Sequence, residues 1–398
     1  MTRNVNSPAK SAGSRPPLLT RPLLLRFVSI VGASTGFFLL LSVVPLYAEE
    51  SNGGRGSAAG LATGALMLAT VAGELATPRI VARFGYRLTL VAGLFLLGAP
   101  ALVLTVSGST AWITAVCVVR GLGFACTVVA GGALTASLIP PERRGEGLAL
   151  VGIVSGVPSL VALPLGVWLV AHVGYGPVCV AGGAAALAAI VSVPGLPDRE
   201  PDSGPSIGVV AGLRTAGLLR PAIVFAATTL AAGIVVTFLP LAVPSASTGL
   251  VAAALFVQSA ASTAARWVAG RRGDRHGPAR LVLPGLVVAS AGTLLVSLTH
   301  SPVAVVSGVA VFGIGFGITQ NATLTLMYAR VPASGYGTVS ALWNFAYDAG
   351  MGVGAVGFGL LAGRTGYPWA FALTAVLMLT ALAPAWRDRR TEGALPRR

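Results

Sequence analysis

Twelve long apolar runs, parted by short segments that carry the arginines, constrain this chain more than any other feature. A span across a bilayer needs about 20 mainly apolar residues. Runs of that kind lie at roughly 23–47, 57–78, 88–107, 110–138, 147–171, 175–194, 220–243, 249–270, 280–299, 302–329, 336–362 and 367–386. The reading is an all-α membrane protein of twelve transmembrane helices in two six-helix bundles. Gly195 to Leu219, with four nearby prolines and three acids, is the one long polar break and reads as the linker. The predicted layout is an N-tail at 1–22, a first bundle at 23–194, a linker at 195–219, a second bundle at 220–386 and a C-tail at 387–398.

Composition excludes the soluble alternative. Charged residues are 10% of the chain and hydrophobic ones 55%, where a soluble domain carries about 25% charged residues. The net charge of +15 comes from arginines between apolar runs, so it points to membrane orientation, with no nucleic-acid partner expected. With the N-terminus inside, 24 of the 27 basic residues fall on one side. Only Arg55 and Arg364 fall outside, and Arg120 lies within a span. That asymmetry places both termini in the cytoplasm and the chain in the cell (inner) membrane. The first apolar run lacks a small-x-small cleavage site and reads as a retained helix. Cys117, Cys126 and Cys179 sit inside apolar runs and read as small packing residues. His172, His276 and His300 are isolated, and no metal site is expected.

Two segments repeat across the halves. Gly270-Arg271-Arg272-Gly273-Asp274-Arg275-His276-Gly277 joins two apolar runs, and a weaker copy runs from Pro78 through Arg83 and Gly85 to Arg87. Span 4 holds Arg120-Gly121-Leu122-Gly123, and span 5 holds Gly152, Gly156, Pro158, Pro164 and Gly166. On these residues the chain resembles the major facilitator superfamily from about 23 to 386. Gly270, Asp274, Arg275 and Gly277 match that family's gating loop, and Arg83, Gly85 and Arg87 match its first copy. The first copy departs at Ala82, where the family carries an acid, and at Pro78, where it carries glycine. The span-5 residues are similar to the Gly/Pro motif of the drug:proton antiporter branch. That resemblance implies export driven by the proton gradient, with no bound cofactor.

A charge at mid-membrane costs at least about 2.5–3.5 kcal/mol, so it is functional by default. Counting residues from the span ends puts Arg120 and Asp348 near the midplane, one in each half. Asp348 is the expected proton-titrating carboxylate. Arg120 is expected to face the cavity and bind an anionic group or tune the proton site. Glu74, one turn above the first clasp, is a further proton-coupling or substrate-binding candidate; packing at the inner gate, with Arg83 or a nearby basic residue as partner in place of the acid missing at Ala82, is its other expected role. Gln258, Gln320, Asn321, Trp343, Asn344 and Tyr347 are the expected cavity liners. Gly350, Gly352, Gly354, Gly357 and Gly359 allow close approach by helix 11. Glu49 and Glu50 are expected in solvent at the outer end of helix 1.

No phosphate-binding loop or nucleophile motif occurs, so no enzymatic activity is expected. The reading is a monomeric secondary transporter in membrane lipid that exports a small, partly apolar molecule. A proton-coupled uptake permease is the alternative within the class, and a transport-inactive sensor is the alternative outside it.

Overall fold

The computed structural model describes residues 17–53, 57–140, 144–198, 214–243, 248–331 and 336–393. The described residues are nearly all helical. The first half holds α1 (Arg21–Leu41), α2 (Val43–Ser51), α3 (Ser57–Leu102), α4 (Thr110–Leu138), α5 (Arg144–Val173) and α6 (Tyr175–Ala188). The second holds α7 (Ala216–Ala242), α8 (Thr248–His276), α9 (Ala279–Val296), α10 (Pro302–Ala329), α11 (Tyr336–Thr365), α12 (Tyr367–Leu379) and α13 (Leu382–Gly393). Among the described residues, ten stretches are long and apolar enough to cross a membrane. The stretch Ser57–Val106 contains two helices that bend apart at Gly85. α8 matches the others in length but is more polar, because Arg266, Arg271, Arg272 and Arg275 lie on it. With α1 and α2 taken as one crossing, α12 and α13 as another, and α8 counted with them, the described helices are consistent with the expected twelve segments.

Both expected loops turn out to be helix junctions. In α3 the helix runs through Pro78 and Arg83 and breaks only at Gly85, whose φ of 78° suits a residue without a side chain. A Cβ there would also stand 2.6 Å from the Asp198 carboxylate. Asp198 accepts the Arg87 backbone N–H at 3.0 Å, and the Arg87 Nε donates to Leu196 O at 2.5 Å. The end of the first half is thereby tied to the α3 bend. In α8 the helix continues through Gly270 to His276 and stops at Gly277, with φ 86°. The Gly277 N–H closes the last turn on Gly273 O at 2.8 Å, a left-handed helix cap. The linker expected at 195–219 falls largely on 199–213, outside the described residues.

The chain expected as a tail from 387 is helical to Gly393. Asp388, buried, takes Arg220 at 3.6 Å and Arg330 at 3.3 Å. Those contacts join α13 to the start of α7 and the end of α10. Arg330 also donates to Gly217 O at 2.6 Å. These residues, Arg21, the α3 bend and the α8–α9 junction share one end of the bundle, called here the arginine end.

Small residues set the helix spacing, as expected where lipid gives helices no hydrophobic drive to associate. A Cβ on Gly123 would lie 2.5 Å from Leu97 N, and one on Gly308 would lie 2.8 Å from Val296 N. The contact of α3 with α4 is thus repeated by α9 with α10 in the other half. Gly350 and Gly354 press α11 onto Ala226 and Leu230 of α7.

The halves meet tightly at the end remote from the arginines. Ser42 donates to Val236 O at 2.8 Å, and the Thr63 and Thr237 hydroxyls bond at 2.9 Å. A Cβ on Gly60 would stand 2.5 Å from Ala355 O. Gly64 lies against Val356, and Gly352 against Met67. Glu49, expected in solvent, is only 3% exposed and accepts the Ala59 N–H at 3.1 Å. Its carboxylate occupies the first turn of α3, where free backbone N–H groups favour an anion.

Candidate transport cavity

Between the halves lies a cavity of about 560 Å³, within the range of small-molecule sites. Its walls come from both halves: α1, α3, α4 and α5 on one side, α7, α8, α10 and α11 on the other. It reaches toward the arginine end, through Arg26, Ala136, Gly152 and Arg266, and stops at Leu41, Leu163 and Met351 below the tight seam.

Aromatic side chains form opposite walls. Phe37 of α1 stacks on Phe124 of α4, centroids 3.7 Å apart and planes at 11°. Across the cavity Trp343 lines the wall and stacks on the fully buried Phe225 at 4.3 Å and 15°. Tyr347 and Phe316 extend that second group. Such stacked ring pairs present flat apolar faces. Small and hydroxylic residues fill the rest, including Gly152, Ser155, Gly156 and Ser159 on α5 and Ser259 and Ser262 on α8. Gly152 and Gly156 have nothing within 4 Å of a built Cβ, so on this face the glycines leave space. Gly166, on the same helix, instead packs against Leu39 of α1. Pro158 and Pro164 lie inside α5.

Of the expected liners, Gln258, Gln320, Trp343, Asn344, Tyr347 and Asp348 all border the cavity. Asn321 does not. It follows Gln320 round to another face of α10 and lies by Gly270 of α8.

Glu74 does not make the expected pair with Arg83 at the inner gate. It borders the cavity, and its carboxyl reaches hydrogen-bonding range of the Asp348 carboxyl on α11. Arg83 points elsewhere and lies 5.4 Å over the Phe84 ring. The reason is helical phase. Gly60, Gly64, Met67 and Glu74 recur on one face of α3, the face that meets α11.

Arg120 is placed away from the cavity. It is 1% exposed within the first half. Its Nε donates to Leu97 O at 3.3 Å and its Nη2 to Gly36 O at 3.2 Å. A guanidinium has five donors, and carbonyls on α1 and α3 take two of them, so this side chain ties α4 to both helices. Arg120→Lys has one ammonium and cannot reach both carbonyls. We expect it to destabilise the purified protein by about 1.5–3 kcal/mol per lost charged hydrogen bond, and so to lower its melting temperature, with substrate affinity unchanged. Thermal unfolding followed beside ligand titration checks this.

Two cavity cations were missed. Arg26 lies inside α1, 5% exposed, and donates to Ser29, Thr135 and Gly131 O at 2.5, 3.1 and 3.2 Å. A basic residue near the N-terminus reads as an orientation signal, which concealed it. Its position past the start of the apolar run, three residues before Ser29, was the available clue. Arg266 lies on the cavity face of α8 and donates to Thr263 at 3.4 Å. The cavity therefore has cations toward the arginine end and two acids at its closed end.

The comparisons with known proteins agree with this architecture. The family model for the Major Facilitator Superfamily matches residues 26–355. The chain belongs to the major facilitator superfamily. It is a transporter, not an enzyme. A chloramphenicol resistance protein of Streptomyces lividans is 27% identical over 379 residues, covering 91% of this chain and 95% of that protein. Among solved structures, a bacterial homologue of the human lysosomal transporter Spinster, inward-facing and unoccupied, superposes with a TM-score of 0.75 at 16% identity. That likeness covers 95% of this chain and 98% of the other. The nucleoside transporter NupG gives 0.71 at 14% identity, covering 94% and 99%. At such identities these two establish the fold of the superfamily member and nothing about its cargo.

Proposed function

We propose that this superfamily member is a proton-coupled exporter of a small, partly apolar molecule, held in the cavity between the Phe37–Phe124 and Trp343–Phe225 ring pairs. The observation that carries the reading is a cavity shut at one end with carboxyls at its base. A transporter coupled to protons needs a titrating group on the path that alternates between compartments. Asp348 is that group in this reading, and the proton gradient is the sole energy source.

In this reading the arginine end faces the cytoplasm, which the arginine excess supports. The structure then corresponds to the inward-facing state, with the external end shut. Export is supported by the Streptomyces lividans relative, a resistance protein, and by the Gly/Pro pattern of α5. The expected cargo is a molecule of chloramphenicol's size and polarity. Its rings would lie against the aromatic walls, and its hydroxyl or amide groups would meet Gln258, Gln320 and Asn344.

The test uses the purified chain in vesicles with radiolabelled chloramphenicol. Inverted vesicles with an acid lumen should accumulate it, and a protonophore should stop the accumulation. Accumulation confined to right-side-out vesicles under an inward proton gradient would replace this reading with an uptake permease.

A further inference from the structure

We propose that Glu74 and Asp348 share one proton across the seam between the halves, and that this proton is the latch holding the non-arginine end shut. The inference rests on the proton-coupled reading but goes beyond it, because it assigns the proton to a pair and gives it a mechanical task.

The two carboxyls belong to different halves, one on α3 and one on α11. They lie within hydrogen-bonding range of each other. A carboxylate only accepts hydrogen bonds, so a bond between two carboxyls requires a proton on one of them. Glu74 Oε1 is buried with no N–H or hydroxyl donor from the protein. Among the described residues the salt bridges involve Asp388, not this pair. The other ionisable groups facing the cavity are Arg26, Arg266 and Tyr347. Arg26 is bound to Ser29, Thr135 and Gly131 O, and Arg266 to Thr263. Tyr347 adjoins Asp348 on α11, within the aromatic wall.

Position gives the pair its leverage. On α3 the seam runs Gly60, Gly64, Met67, and Glu74 lies two turns further along. On α11 it runs Ala355, Gly352, and Asp348 lies one turn further along. The pair therefore sits where the seam ends and the cavity begins. When the carboxyl O–H bond breaks and the proton leaves through the cavity toward the arginine end, two carboxylates remain face to face. In a low-dielectric site like charges repel strongly. The repulsion acts between α3 and α11 at the edge of the seam and favours parting of the shut end. Reprotonation from that side restores the bond and closes the seam again.

The test reads the shut end directly. Val106 and Val303 are 76% and 78% exposed, in opposite halves at that end. Spin labels on Val106→Cys and Val303→Cys, in lipid nanodiscs, report the distance between them. In the otherwise native chain, raising the pH should increase the population with a long distance at least about tenfold, from a minor state. Glu74→Gln and Asp348→Asn each leave an amide that donates to the remaining carboxylate at any pH. Both should hold the short distance throughout. Infrared spectra supply an independent readout: a protonated-carboxyl band that fades as the pH rises, absent from both variants.

If Glu74→Gln keeps the full pH response while Asp348→Asn abolishes it, Asp348 titrates alone and the shared latch is wrong, though proton-coupled export survives. If neither variant changes the response, the latch is wrong again. Loss of gradient-driven transport by the native chain would instead overturn the reading on which the latch rests.

Discussion

Asp348→Asn should reduce proton-driven accumulation by about two orders of magnitude, or about 2.8 kcal/mol of lost coupling at 1.4 kcal/mol per tenfold. Binding of substrate to the purified protein should change by less than about threefold, a fraction of that energy. The split follows from geometry. Asp348 is 5% exposed, at the closed base of the cavity, with Glu74 as its carboxyl neighbour. The expected cargo is neutral and meets the aromatic walls and the amides of Gln258, Gln320 and Asn344. An amide at 348 preserves shape and hydrogen bonding but cannot exchange a proton. Equal losses in binding and flux would make Asp348 a substrate contact. Unchanged flux would remove it from the coupling path.

The second large effect concerns the seam. Gly60→Leu should eliminate transport while leaving each half folded. A Cβ at Gly60 already meets Ala355 O, and Phe238 lies 3.3 Å from it. Both obstacles belong to the other half, so a leucine wedges the halves apart without entering the core of either. Overpacking within a well-packed interface costs about 1–3 kcal/mol, comparable with the difference between two states of a transporter in exchange. A cysteine at Thr237, shielded in the native chain, should then react with a membrane-impermeant thiol reagent. If Gly60→Leu transports normally and Thr237→Cys stays protected, the end is not a gate.

Much of this was legible in the sequence. Bilayer thickness sets helix length, so the apolar runs gave the spans and the arginines gave their alternation. Asp348 stood out because ionisable groups are rare in lipid. Depth could be counted along each run, but the inward face could not. α4 is apolar nearly all round, so no periodicity told whether Arg120 faced the cavity or its own bundle. The neighbour of Glu74 was not legible, because Asp348 lies in the other half and is reached only after both bundles assemble. The turn chemistry was clearer at Gly277 than at Gly85, where the helix continues past Pro78 and the kink is stabilised by Asp198, far along the chain.

In the proposed cycle the end closed by Ser42, Thr63 and Thr237 must open at every turnover. The Thr63 and Thr237 hydroxyls meet at 2.9 Å from opposite halves, so cysteines at the two positions would face each other across the seam. The three native cysteines are buried and leave that bond to the new pair. The measurement is proton-driven accumulation by the Thr63→Cys/Thr237→Cys protein, oxidised and then reduced. Oxidation should abolish accumulation, and reduction should restore it to the native level. Equal rates in both forms, with the disulfide verified, would contradict it.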